Sequence, residues 1–203
     1  MTQPLFVLVR PQMGENIGAA ARAMWNFGLE RMIIVAPRDG WPNPSAVALA
    51  SGAGRLLDKA SVVDSTAEAL GDATFVYATT ARSRDLTKEV FTPEAAMADA
   101  ARRIAAGGRV AVLFGPERAG LENDDIARAN AIISVPVNPD FPSLNLAQCV
   151  LLTAYEWRRT SRRLTSSVRR TAITRRSSAC TASTWDACTR SASGWSTSSR
   201  PRT

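Results

Sequence analysis

Three short blocks hold most of the groups able to do chemistry, and each follows a hydrophobic run of strand length. They are Asn16-Ile17-Gly18-Ala19-Ala20-Ala21-Arg22, Phe114-Gly115-Pro116-Glu117-Arg118-Ala119-Gly120-Leu121 and Pro142-Ser143-Leu144-Asn145-Leu146-Ala147-Gln148. Between them they offer three side-chain amides, a carboxylate, a hydroxyl and two guanidinium groups. Such a set suits holding and polarising a bound group better than taking a proton outright, because a guanidinium barely deprotonates. The chain has no histidine. Imidazole bases and His-containing metal sites are therefore excluded. Its three cysteines, Cys149, Cys180 and Cys188, form no CxxC pair, so zinc and thiol–disulfide chemistry are poor fits. Taken singly, each block also reads as an ordinary strand-to-helix turn, with Arg22 as a surface charge.

The elements that must position these blocks alternate along residues 1–159. Leu5–Val9, Met32–Ala36, Phe75–Thr79, Val110–Phe114 and Ile132–Val137 are apolar runs of strand length. Helical patterns over Ile17–Phe27, Ser45–Leu57, Thr66–Leu70, Pro93–Ala106, Asp124–Asn130 and Leu144–Arg159 separate them. Strands with little polar alternation, spaced by helices, predict an α/β domain with a parallel sheet covered on both faces. Asn16 and Ser143 are suited to N-cap their helices, and Gly28 and Gly107-Gly108 to stop theirs. The small residues Gly18 to Ala21 would let another surface come close to the start of the first helix. Only one glycine opens that helix, so the turn is not a dinucleotide-binding fingerprint, which argues against a dehydrogenase.

The composition changes near Arg159. Residues 158–203 hold eleven arginines, no lysine and one acid, a net charge of +10. Residues 1–157 hold fourteen basic and seventeen acidic groups, a net charge of −3. The overall +7 therefore belongs to the tail, and a nucleic-acid site on the main domain would have to be a local patch. The tail is Arg/Ser/Thr-rich with no sustained apolar period. A disordered basic tail and a small folded module are possible readings. The favoured one is GC-rich coding sequence read out of frame, which sets the domain at 1–159 and an anomalous tail at 160–203. The first residues show no signal-peptide pattern and no apolar run spans a bilayer, so a cytoplasmic protein is expected.

In this order and spacing the three blocks resemble the signature motifs of the SpoU-type (TrmH-like) RNA 2′-O-ribose methyltransferases of the SPOUT class. The stretches Ala78-Thr79-Thr80-Ala81-Arg82-Ser83-Arg84, Ala46–Gly54 and Tyr155-Glu156-Trp157-Arg158 look like the TrmJ subgroup, which modifies position 32 in the tRNA anticodon loop. The resemblance covers about residues 3–159. It implies a deep trefoil knot towards the C-terminal end of the domain, a homodimer and S-adenosylmethionine as methyl donor, with no metal and no membrane. It also implies Arg22 as the central catalytic residue, with Asn16, Glu117, Ser143 and Asn145 beside it. The same comparison assigns Thr79, Thr80, Ala81, Gly115, Val135, Ser143 and Leu144 to the cofactor. A ribose 2′-OH as acceptor implies RNA. Arg10, Arg82, Arg84 and Arg118 would then meet its phosphates. Ribosomal RNA in place of tRNA, or a non-catalytic RNA-binding relative, are the alternatives.

Overall fold

The computed structural model describes residues 3–81 and 88–162. Seven strands form one sheet: β1 (Leu5–Val9), β2 (Met32–Val35), β3 (Ser61–Val63), β4 (Phe75–Thr79), β5 (Val90–Phe91), β6 (Val110–Phe114) and β7 (Ala131–Ile133). Their order across the sheet is β3-β2-β1-β6-β4-β7-β5, and every pairing is parallel. The helices are α1 (Gly14–Asn26), α2 (Pro44–Ala50), α3 (Gly54–Asp58), α4 (Thr66–Leu70), α5 (Pro93–Ala105) and α6 (Asn123–Arg128). A seventh helix, α7, runs over residues 146–162.

Both faces of the sheet are covered, as the unbroken apolar strands require. Within β1, Phe6 and Leu8 belong to one buried cluster and Leu5, Val7 and Val9 to the other. The same alternation divides Val112 from Leu113 on β6 and Tyr77 from Ala78 on β4. The first cluster takes in α1, α5 and the buried stripe Leu146, Val150, Ala154 and Trp157 of α7; the second takes in Ala69 of α4 and Ile126 of α6. Each fully buried Leu, Ile or Phe contributes about 1.5–3 kcal/mol relative to exposure.

Local signals set several element ends as expected. At the end of α1, Leu29 N–H donates to the Met24 carbonyl (3.0 Å) and Gly28 N–H to that of Trp25 (3.1 Å). Gly108 and Gly107 close α5 in the same way on Arg103 and Ile104. Elsewhere the elements differ from the sequence expectation. The span Ser45–Leu57 is two helices, because Ser51 and Gly52 take left-handed backbone and break it. Strand β7 ends at Ile133 and does not reach Val137. The last backbone bond there is Ser134 N–H to the Phe91 carbonyl (2.9 Å), and Pro136 lacks the N–H that would continue the ladder. The short edge strands β3 and β5 carry no apolar run of their own. Lys88 Nζ, by donating to the Ile126 and Ala127 carbonyls (2.8 Å each) and that of Ala129, ties β5 to the end of α6.

Helix α1 meets α2 without room for side chains. A Cβ on Gly18 would stand 2.2 Å from the Ala46 carbonyl oxygen, and one on Gly14 would stand 2.1 Å from Asn43 Oδ1. The close surface expected at Gly18–Ala21 is therefore another helix. Asn43 caps α2, its Oδ1 accepting from Ser45 N–H (3.0 Å) and Ala46 N–H (3.3 Å).

Candidate active site

Parallel strands deliver their carboxyl ends to one edge, which is where open α/β sheets bind ligands. Thr79 pairs in register with Ile133, so β4 and β7 end flush, and β6 ends beside β4 at Gly115. Around these ends lies a cavity of about 280 Å3. Its walls are the end of β4 with Thr80 and Ala81, the loop Gly115–Leu121, and Val135, Val137 and Pro142–Leu144 of the segment leading to α7. Thr79, Thr80, Ala81, Gly115, Val135, Ser143 and Leu144, scattered over 66 positions of sequence, thus meet in one place.

Gly115 is needed here for the loop's own closure. A Cβ on it would lie 2.4 Å from Leu121 N, while Gly120 N–H closes the turn on the Pro116 carbonyl (2.9 Å). Thr79 Oγ1 donates to the Leu113 carbonyl (2.9 Å), fixing its rotamer at the cavity floor. Cys149 of α7 also lines the cavity. Burial pushes its thiol up to about 11, against a partly offsetting hydrogen bond with Thr79, so it stays a neutral thiol near neutral pH.

Beside the cavity the three blocks are joined by side chains. Asn16 Nδ2 donates to Glu117 Oε1 (2.6 Å), and Asn145 Nδ2 donates to Asn16 Oδ1 (2.9 Å). The second oxygen of Glu117 accepts the backbone N–H of Gln12 (2.9 Å). This corrects both capping expectations. Helix α1 begins at Gly14 with Met13 at the cap position and no side-chain cap, so Asn16 sits inside the first turn with its amide spent on Glu117 and Asn145. Helix α7 is capped by Asn145 and not by Ser143. Asn145 Oδ1 accepts from Ala147 N–H (2.8 Å), and Gln148 Oε1 accepts from Asn145 N–H (3.2 Å), a reciprocal box. Ser143 is left exposed at the cavity wall.

The arginines divide. Arg22 is exposed on α1, six residues and therefore roughly 9 Å of helix from Asn16, and pairs with none of the described residues. Arg118 is exposed and lines the cavity. Arg10 has left-handed backbone, and its guanidinium meets Asp125 and, at 3.5 Å, Glu122. Asp125 is buried and also accepts from Thr66 Oγ1 (2.7 Å), so Arg10 closes a structural network between β1, α4 and α6. Arg82 and Arg84 lie outside the described residues. Sequence reasoning passed over Arg38, which follows β2 at this same edge, donates its backbone N–H to the Pro11 carbonyl (3.1 Å) and pairs its guanidinium with Asp39 (2.7 Å). Its only signal was position, in a Pro-Arg-Asp-Gly turn after a strand. Among the described residues no cluster of three or more Cys, Asp or Glu is grouped to hold a metal ion, and no helix is long and apolar enough to cross a membrane.

Comparison with known proteins bears on the same stretch. The chain is 41% identical over 152 residues to the tRNA (cytidine/uridine/adenosine-2'-O-)-methyltransferase TrmJ of Pseudomonas aeruginosa, covering 75% of this chain and 59% of that protein. The crystal structure of TrmJ from Z. mobilis ZM4 superposes with a TM-score of 0.73 at 59% identity, covering 78% of this chain and 70% of that one. A probable methylase family protein from Haemophilus influenzae gives the same TM-score at 36% identity, covering 79% and 67%. The chain spans about three-fifths of the length of the curated relatives it matches. The model of the SpoU rRNA Methylase family matches residues 3–155, which take in the sheet, the cavity walls and all three linked blocks. By that extent, the chain belongs to the SpoU methylase family.

Proposed function

We propose that the cavity holds S-adenosylmethionine and that the protein transfers its methyl group to a ribose 2′-OH in tRNA, at position 32 of the anticodon loop. The observation that carries this reading is the double placement of Glu117. It lines the cavity and, through Asn16 and Asn145, fixes the amides of the other two blocks at the cavity's edge. A volume of about 280 Å3 lies just below the roughly 300–1,000 Å3 typical of small-molecule sites. The walls also suit a nucleoside-bearing ligand: Leu121, Ile133, Val135 and Leu144 supply apolar faces, and Thr79, Thr80 and the loop backbones supply polar ones. When bound, the donor supplies a methyl group already activated on sulfonium, so the protein's work is orientation and activation of the hydroxyl.

In this reading Ser143 and Asn145 orient the ribose, and Glu117 keeps Asn16 from turning away. Arg22 polarises the 2′-OH and holds the neighbouring phosphate. The hydroxyl oxygen bonds to the methyl group as the methyl–sulfonium bond breaks, leaving S-adenosylhomocysteine, and the hydroxyl proton passes to water, since the guanidinium does not take it. Because Arg22 stands apart from its own Asn16–Glu117 network, it serves the cavity of a second subunit. A homodimer follows, with the exposed Leu151, Leu152 and Tyr155 of α7 as apolar surface for it. The loops Gly115–Leu121 and 134–145, which share one cavity, are the segments assigned to a trefoil knot. Arg118 and Arg38 meet RNA phosphates. A tRNA substrate implies work in the cytoplasm. Calorimetric titration with S-adenosylmethionine tests the cavity assignment. Binding is expected for the wild type and lost for Gly115→Val, whose side chain would collide with the loop; a wild type that binds none contradicts it.

A further inference from the structure

The donor cavity and the polar network account for the methyl group and the ribose, and leave the nucleobase on that ribose without a partner. A ribose drawn into the site must bring its base out of the loop stack, and proteins that read single-stranded RNA cover such a base with a flat side chain. Nearly every aromatic residue among those described is already used. Phe6, Tyr77, Phe114 and Trp157 are buried, and Trp25, Phe27, Trp41, Phe75 and Phe91 pack against the core. Tyr155 makes an edge contact with Phe27, their ring centroids 5.8 Å apart. Phe141 alone stands outside the core clusters and ring pairs, 73% exposed.

Its setting does not look accidental. Phe141 N–H donates to the Asn138 carbonyl (3.0 Å) and Asp140 N–H to Asn138 Oδ1 (3.1 Å), closing a turn around Pro139. Pro142 follows at once, so proline stiffens the backbone on both sides. The next residues, Pro142, Ser143 and Leu144, line the cavity, and Asn145 holds Asn16. A large apolar ring is thus held in water on a braced turn, two residues from the serine assigned to the ribose. Exposed, the ring forgoes the stabilisation that its burial would contribute.

We propose that Phe141 is the stacking platform for the base of the methylated nucleotide, a positioning residue that fixes the ribose relative to the donor. This rests on the RNA methyltransferase reading above. A flat face tolerates more than one base, so the platform sets position and leaves base choice to other contacts.

The test is steady-state methylation of transcribed tRNA by the full chain carrying Phe141→Ala, Phe141→Leu or Phe141→Tyr, with S-adenosylmethionine titrations, melting and light scattering alongside. The wild type is expected to methylate tRNA. Ala and Leu should lower kcat/KM for tRNA by about ten-fold or more, the scale of one lost base stack. Tyr, flat like Phe, should restore it, while donor affinity, melting temperature and mass stay unchanged. Full activity in the Ala and Leu variants overturns the platform alone. A fall in mass shows instead that the ring is a subunit contact, and also overturns it. A wild type inactive on tRNA and ribosomal RNA removes the functional reading, and the platform with it.

Discussion

At the scale of single residues, Asn16, Glu117 and Asn145 hold one another through their side chains. Arg22 stands outside that network, exposed and unpaired among the described residues. Arg22→Ala is expected to abolish methyl transfer while leaving S-adenosylmethionine affinity within two-fold, since the residue is assigned to the ribose and phosphate. An equal loss of donor binding by calorimetry would show that the assignment is wrong. Cys149 offers a second check. Burial keeps its thiol neutral, and the thiolate is the reactive form, so it should react slowly with maleimide at pH 7. Donor binding should slow it further, a protection readable by mass spectrometry. The sequence makes the three blocks conspicuous, because they set amides and a carboxylate among glycines. It does not show their wiring. Asn16 reads as a cap until Glu117, 101 positions away, is seen to claim its amide.

At the scale of elements, the sheet was legible wherever a strand is buried on both faces. Leu5–Val9, Phe75–Thr79 and Val110–Phe114 have the ends their apolar runs mark. Strands β3 and β5 were not legible, because Val62 and Val90 are exposed and their pairing is supplied by neighbours, not by local pattern. One polar network between β4 and α5 is open to a direct test. Tyr77 O–H donates to Asp99 Oδ2 (2.5 Å), and Arg102 and Arg103 donate to the same carboxylate (3.0 and 2.5 Å). Burial opposes the charge on Asp99, but the bonds from Tyr77, Arg103 and Arg102 outweigh it and hold the carboxyl below its usual range. A carboxyl depressed in the folded state stabilises above its unfolded pKa and loses that contribution as acid protonates it. Asp99→Asn should therefore cost about 1–3 kcal/mol at pH 7. In urea titrations the deficit should shrink on acidification below about pH 4; a deficit constant with pH would refute the ionic account. Between helices, Gly18→Ala would press a methyl group on the Ala46 carbonyl. It should destabilise by about 1–3 kcal/mol, the cost of overpacking.

At the scale of the whole molecule, the core is closed by residues up to Trp157, and the compact unit of contacts ends at Ser161. Helix α7 runs through the composition break near Arg159 and on to residue 162. Residues 163–203, on which the disordered and out-of-frame readings bear, lie outside the described residues. Deleting them should leave the melting temperature within a few degrees, because every core position among the described residues is kept. What no sequence period could reveal is the gathering of three distant loops into one cavity, since that depends on β4 lying between β6 and β7. The most direct test of the whole account follows the methyl group itself. The protein is incubated with tRNA and S-adenosylmethionine labelled in the methyl group, and the RNA is hydrolysed with alkali, which cleaves only next to a free 2′-OH. The account predicts label in alkali-resistant dinucleotides, and none with Arg22→Ala. Label on a base, released in mononucleotides, or no transfer to any RNA would contradict it.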